Sequence, residues 1–234
     1  MAADGIILVH GGMHTAACWS LVEPLLDLPV RAVDLPGRGS RPADLTRVSL
    51  DDCVAAVLEE ADAAGFARFA LVGHSLGGVT ITETAFRHGD RVTNLVYIAA
   101  IVPAAGTNAA AAMFGSDAPA DEPFVLSVEL AEPAFGNDLS EAQWVAHAAS
   151  LVAEAPGIMN DTISGLPSGI PMTYVTMRND KALGHVLTEQ MAANLGAGVE
   201  RRTLEAGHTV MVSQPKALAE IINEAVAREA APGR

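Results

Sequence analysis

A chain of 234 residues, half of them apolar and 18% charged, has enough apolar material for one large core and does not demand a second; this composition excludes a disordered chain. Fourteen Lys+Arg against 28 Asp+Glu leave a formal net charge of −14, and the only lysines are Lys181 and Lys216. So acidic a surface repels phosphate backbones and anionic lipid, which argues against nucleic acid and membrane as partners and favours a neutral small-molecule substrate over an anionic one.

In chain order, the opening MAADGIILVHGG has no basic stretch followed by an apolar one, and no apolar run reaches the ~20 residues that span a bilayer. We therefore expect no secretory signal and a cytoplasmic setting. Cys18 and Cys53 lie far apart without metal-like spacing, so they read as small core residues in a reducing compartment, with no metal site. Strands are predicted at 6–10, 30–34, 69–74, 94–101, 172–177 and 199–204, most of them apolar on both faces, as in a parallel sheet covered by helices on both sides. The turn DLPGRGSRP follows the second strand and reads as structural. Ser49-Leu50-Asp51-Asp52 caps a helix whose stripe is Val54, Val57, Leu58 and Ala61; further helices are predicted at 78–88 and 214–228, and the tail AREAAPGR is expected to fray.

The alternation breaks between 103 and 169, where Ala, Pro and Gly are frequent and only a helix at 140–154 is predicted. Ser140 and Gln143 form its capping box, and Trp144, Ala148 and Leu151 share a face. The apolar residues of this stretch (Met113, Phe114, Phe124, Phe135, Trp144, Met159) either line a pocket or pack on one another. The expected architecture is α/β: about six mainly parallel, doubly wound strands, with residues 1–102 and 170–234 as the core and 103–169 as an inserted helical lid.

The chemistry centres on Gly73-His74-Ser75-Leu76-Gly77, a G-x-S-x-G pattern between a buried strand and a helix. Turning a strand abruptly into a helix forces the serine into a strained conformation, and small neighbours are needed to avoid collision. The strain projects Oγ from the end of the sheet as a nucleophile, with the Leu76 amide aimed where an oxyanion would form. His208, in the loop between the last strand and the last helix, is the expected base, and Asp180, just past the strand at 172–177, the expected orienting acid; Glu205 and Asp161 are less well placed. Gly12, in the glycine-rich loop after the first strand, is the expected second oxyanion donor. His10 and His74 read as residues that hold loops, while His14 either reaches the pocket or is structural. Met113, Phe114 and Trp144 complete the expected pocket.

The chain resembles α/β-hydrolases, and among them the group of plant methylesterases (salicylate-binding esterases) and hydroxynitrile lyases with their bacterial esterase relatives. The resemblance rests on Val9-His10-Gly11 with His14 and Trp19, Asp34-Leu35, the serine motif through Gly78, Asp180-Lys181, and Gly207-His208 with Met211 and Pro215. It covers almost the whole chain and is loose across 103–169. It implies a serine hydrolase without metal or organic cofactor, a Ser–Asp–His order in the chain, and carboxylic ester hydrolysis on small to medium neutral esters. Lactonase, thioesterase, C–C hydrolase and biosynthetic cyclase chemistry on the same triad remain open, as do a slow-turnover ligand receptor and a homodimer. The lyases of this group carry lysine directly after the catalytic histidine; Thr209 stands there, which disfavours that reaction.

Overall fold

The apolar runs become the strands of one fully parallel sheet in the computed structural model, which describes residues 2–117 and 122–228. They are β1 (Gly5–Val9), β2 (Val30–Val33), β3 (Phe69–His74), β4 (Val92–Ile98), β5 (Met172–Met177) and β6 (Glu200–Leu204), in the order β2-β1-β3-β4-β5-β6. Every residue of β1, β3 and β4 is buried, because helices cover both faces. Ile7, Val9, Leu71, Tyr97 and Tyr174 pack on one side; Ile6, Leu8, Val72, Val96, Ile98 and Val175 pack with Trp19 on the other. Strand β6 is polar and half exposed, as befits a sheet edge.

Helix α1 (Leu50–Ala63) starts at the predicted cap: the Ser49 hydroxyl accepts the Asp52 amide and Asp52 accepts the Ser49 amide. Helix α2 (Gly77–Arg87) leaves the serine motif directly. Four short helices follow β4: α3 (Ala109–Phe114), α4 (Val128–Phe135), α5 (Glu141–Ala148) and α6 (Pro156–Asn160). The helix expected at 140–154 is capped by Ser140 as predicted but ends at Ala148, since Glu154 is drawn into a two-residue bridge with Phe124 instead. Helix α7 (Gly184–Asn194), unforeseen in the sequence, precedes β6; α8 (Val210–Ser213) and α9 (Pro215–Val226) close the chain. The expected fraying of the tail falls largely on residues 229–234, outside the described residues. Cys53 is buried and Cys18 half-buried, both as free thiols, and burial pushes the Cys53 thiol up to about 12. No helix among the described residues is long and apolar enough to cross a membrane.

The strand order reverses direction between β1 and β3, whose successors run to opposite edges of the sheet. Loops leaving the carboxyl ends of such neighbours diverge and open a crevice. Gly11-Gly12 and Ser75 lie on those two loops.

Candidate active site

Ser75 sits at φ 51, a left-handed conformation that costs an L-residue about 1–2 kcal/mol. Main-chain bonds hold it there: the Ser75 amide donates to Ile98 O (3.0 Å), and its carbonyl accepts from Gly78 (3.0 Å) and Ile101 (2.8 Å). The turn is so tight that a Cβ on Gly77 would come within 2.5 Å of the His10 carbonyl oxygen, and one on Gly11 within 2.9 Å of Ser75 Cβ. These clashes, not flexibility, explain the small residues around the serine.

His208 Nδ1 donates to Asp180 Oδ2 at 2.8 Å, and both side chains are buried. Asp180 Oδ1 accepts the amides of Ala182 (2.8 Å) and Leu183 (3.0 Å). Burial raises the Asp180 pKa, but the His208 charge, its hydrogen bond and the two amides outweigh burial, so the carboxyl is held below the ordinary range and stays ionised. The His208 ring stacks on Phe135 (centroids 5.6 Å, 25°) and lies 4.6 Å from the His74 ring. His74 Nε2 donates to the His208 carbonyl at 2.9 Å, tying the His208 loop to the strand that leads into Ser75. The alternative acids are engaged elsewhere: Glu205 pairs with Arg178 at 2.6 Å on the surface, and Asp161 accepts the Leu50 amide at 2.6 Å.

Ser75 and His208 open onto one cavity of about 440 Å³, together with Gly12 and Leu76. Neither the Gly12 nor the Leu76 amide has a hydrogen-bond acceptor among the described residues, so both are free for a ligand oxygen. Met113 and Phe114 line the cavity as expected, joined by Phe124, Phe135 and Met159. Trp144 and His14 do not. Trp144 is buried behind the wall, packed with Met13, Ala131 and Phe135, because the α4–α5 hairpin needs a core of its own. His14 lies edge-on to Phe135 and binds inward: Nδ1 donates to Gly12 O at 2.6 Å, leaving Nε2 to accept from His147 Nε2 at 3.1 Å. Sequence reasoning missed Glu154 and His147 as residues of this site, and left Phe135 open between pocket wall and packing. The turn Gly136-Asn137-Asp138 before the Ser140 cap was the available signal, since Asp138 accepts the Gly207 amide at 2.6 Å, next to His208.

Five histidines therefore crowd the site, and four are held neutral. Burial, then the neighbouring Arg38 charge, lowers His10 to about 4; its Nδ1 donates to Gly11 O and its Nε2 accepts the Leu35 amide. Burial, reinforced by His147, lowers His14 to about 3; burial, then the charge of His208, lowers His147 to about 4 and His74 well below its ordinary value. Folded values below the unfolded ~6.5 mean that the unfolded chain binds more protons between pH 6.5 and about 4, so stability is full above 6.5 and drains away as pH falls through that window. The expected result is a urea midpoint that drops steadily from pH 7 to pH 5, with a shallower slope in His147→Gln; equal midpoints at the two pH values would contradict the neutral histidines.

A parallel sheet with a strained serine at its switch point, and a buried His–Asp pair and two free amides on one cavity, define a hydrolase. The chain belongs to the alpha/beta hydrolase family, whose sequence model matches residues 6–221. It is 28% identical to a pyrethroid hydrolase of Sphingobium wenxiniae, covering 95% of this chain and 87% of that one. A 105-residue stretch is 38% identical to a probable esterase, PIR7A, of Oryza sativa, covering 43% of this chain and 40% of the relative. Among solved structures, an extracellular alpha/beta-hydrolase from a Paenibacillus species, described as homologous to tobacco salicylic acid binding protein 2, superposes with a TM-score of 0.84 at 21% identity over 96% of this chain and 99% of its own. A methylesterase from Arabidopsis gives 0.81 at 22% identity over 95% and 98%. At these identities the structural likeness speaks to the fold.

Proposed function

We propose that the protein hydrolyses carboxylic esters by acyl transfer through Ser75, His208 and Asp180. The observation that carries this reading is the buried 2.8 Å bond from His208 to Asp180 on the cavity that Ser75 also faces. His208 Nε2 takes the Ser75 proton as Oγ attacks the acyl carbon, and Asp180 holds the tautomer and then the imidazolium. The negative oxygen of the tetrahedral adduct rests on the Gly12 and Leu76 amides. His208 returns the proton to the departing alkoxide, and water repeats the sequence to free the acid and Ser75.

Esterase names among the relatives support the class. The apolar wall of Met113, Phe114, Phe124, Phe135 and Met159, beside the Glu122 carboxylate, supports a neutral acyl group. In this reading residues 1–102 and 170–234 carry the chemistry and 103–169 roof the pocket; the setting is cytoplasmic, where Cys18 and Cys53 stay reduced. Lyase chemistry is disfavoured further by Thr209, whose buried hydroxyl donates to Phe135 O at 2.6 Å away from the cavity wall. A panel of p-nitrophenyl esters from acetate to octanoate tests the reading. We expect turnover of short and medium neutral acyl groups and much slower turnover of a succinate monoester; failure on every ester would transfer the site to another triad reaction.

A further inference from the structure

The Gly12 amide lies directly before a fixed piece of main chain. The following peptide, Gly12–Met13, is pinned at both ends. Its N–H donates to Glu154 Oε2 at 2.9 Å, and its C=O accepts from His14 Nδ1 at 2.6 Å. Met13 sits at φ 62, a conformation an L-residue does not hold unaided, and its carbonyl in turn accepts the Val152 amide at 2.9 Å. Glu154 packs so closely on the loop that a Cβ on Gly12 would lie 3.1 Å from its Oε2 and 3.3 Å from Leu76 Cδ2.

Glu154 is itself fixed. Its Oε1 accepts the Ala155 amide at 2.8 Å, its backbone bridges Phe124, and its carboxylate pairs with the guanidinium of Arg38. Both partners are almost fully buried, and Arg38 is anchored by a 2.9 Å bond to Pro36 O. The ion pair settles an electrostatic conflict. A lone carboxylate in the cavity wall would repel an oxyanion forming at Gly12, whereas a neutralised one can act through geometry alone. Arg38 comes from the turn after β2 and Glu154 from the segment between β4 and β5, so two distant parts of the chain meet behind the amide of a third.

We propose that Glu154, neutralised by Arg38, is the positioning residue of the oxyanion hole: it orients the Gly12–Met13 peptide so that the Gly12 N–H points into the cavity. The inference rests on the ester-hydrolase reading and deepens it. Losing an oxyanion donor outright costs about 10²–10³ in kcat and a 1 Å misplacement about 10². Glu154→Ala should therefore lower kcat roughly 30- to 100-fold, with KM changed less than about threefold.

The test uses the full chain and p-nitrophenyl butyrate, with a trifluoromethyl ketone as an inhibitor whose adduct carries the oxyanion, and active serines counted by fluorophosphonate titration. In Glu154→Ala the ketone should weaken by the same factor as kcat while one serine per chain still titrates. Glu154→Gln, which keeps an acceptor for the Met13 amide, should recover most of the loss. Arg38→Met should lower kcat by leaving the carboxylate charged, and adding Glu154→Gln to it should restore part of the rate. Unchanged ketone affinity in Glu154→Ala overturns the proposal even if thermal stability falls. Should Glu154→Ala fail to fold, Arg38→Met with and without Glu154→Gln decides, and no recovery in the double variant overturns it. A wild-type protein that neither titrates nor turns over the ester sinks the hydrolase reading itself, a result distinct from a titrating wild type with indifferent variants.

Discussion

Ser75→Ala should lose fluorophosphonate labelling completely and cost about 10⁶ in kcat, the scale on which removing the nucleophile of a triad acts. The fold should survive. The Ser75 hydroxyl has no hydrogen-bond partner among the described residues, whereas its amide and carbonyl make the three main-chain bonds to Ile98, Gly78 and Ile101 that hold the turn. Alanine keeps those bonds and the same strain at φ 51. Glycine at this position would relieve the strain, so Ser75→Gly should be equally inactive yet more stable than Ser75→Ala by roughly 0.5–2 kcal/mol. That inverse relation between stability and activity is the signature of a serine held under tension for chemistry rather than for folding. The check is mass spectrometry of the labelled protein alongside urea titration of all three forms. Labelling that persists in Ser75→Ala at another serine, or a glycine variant less stable than alanine, would remove Ser75 from the role.

Much of this architecture was legible in the sequence because the sheet is buried on both faces. Strands such as FALVGH must be apolar or small throughout, and that leaves continuous runs a reader can find. Helix α7 was not legible: only Thr188, Met191 and Ala192 of its 11 residues are buried, too few to write a stripe. The early end of α5 was hidden for a different reason. Its sequence would support another turn, but Glu154 is claimed by Arg38 and Met13, and a tertiary demand overrides a local preference. At the site, Ser75, Asp180 and His208 stood out as candidates because each follows a strand end in a polar or glycine-containing stretch. The pocket could be read only in part: Met113 and Phe114 line it, His14 and Trp144 do not. Phe135 faces the cavity and Trp144 packs behind it, yet both are aromatic residues on neighbouring helices, and only the three-dimensional packing of α4 on α5 separates wall from filling.

Asp180→Asn should lower kcat by about 10⁴ while leaving KM and the fluorophosphonate-reactive serine count nearly unchanged, because the substitution traps the base in the wrong tautomer. The geometry decides which way the new amide must point. The Oδ1 position receives two donors, the amides of Ala182 and Leu183, so the asparagine oxygen has to stay there. Its NH₂ then occupies the Oδ2 position, 2.8 Å from His208 Nδ1, and can only donate. His208 Nδ1 must become an acceptor, the proton moves to Nε2, and the ring can no longer take the proton of Ser75. Because every bond except one keeps its partner, the thermal midpoint should fall far less than the rate. The variant should regain activity as pH rises, when hydroxide lessens the need for a base, whereas wild type should not show that upturn. Glu205→Gln serves as the control: its carboxylate is on the surface beside Arg178, so its rate should match wild type. An Asp180→Asn enzyme close to wild type, with Glu205→Gln impaired, would mean that the acid of this site has been assigned to the wrong loop.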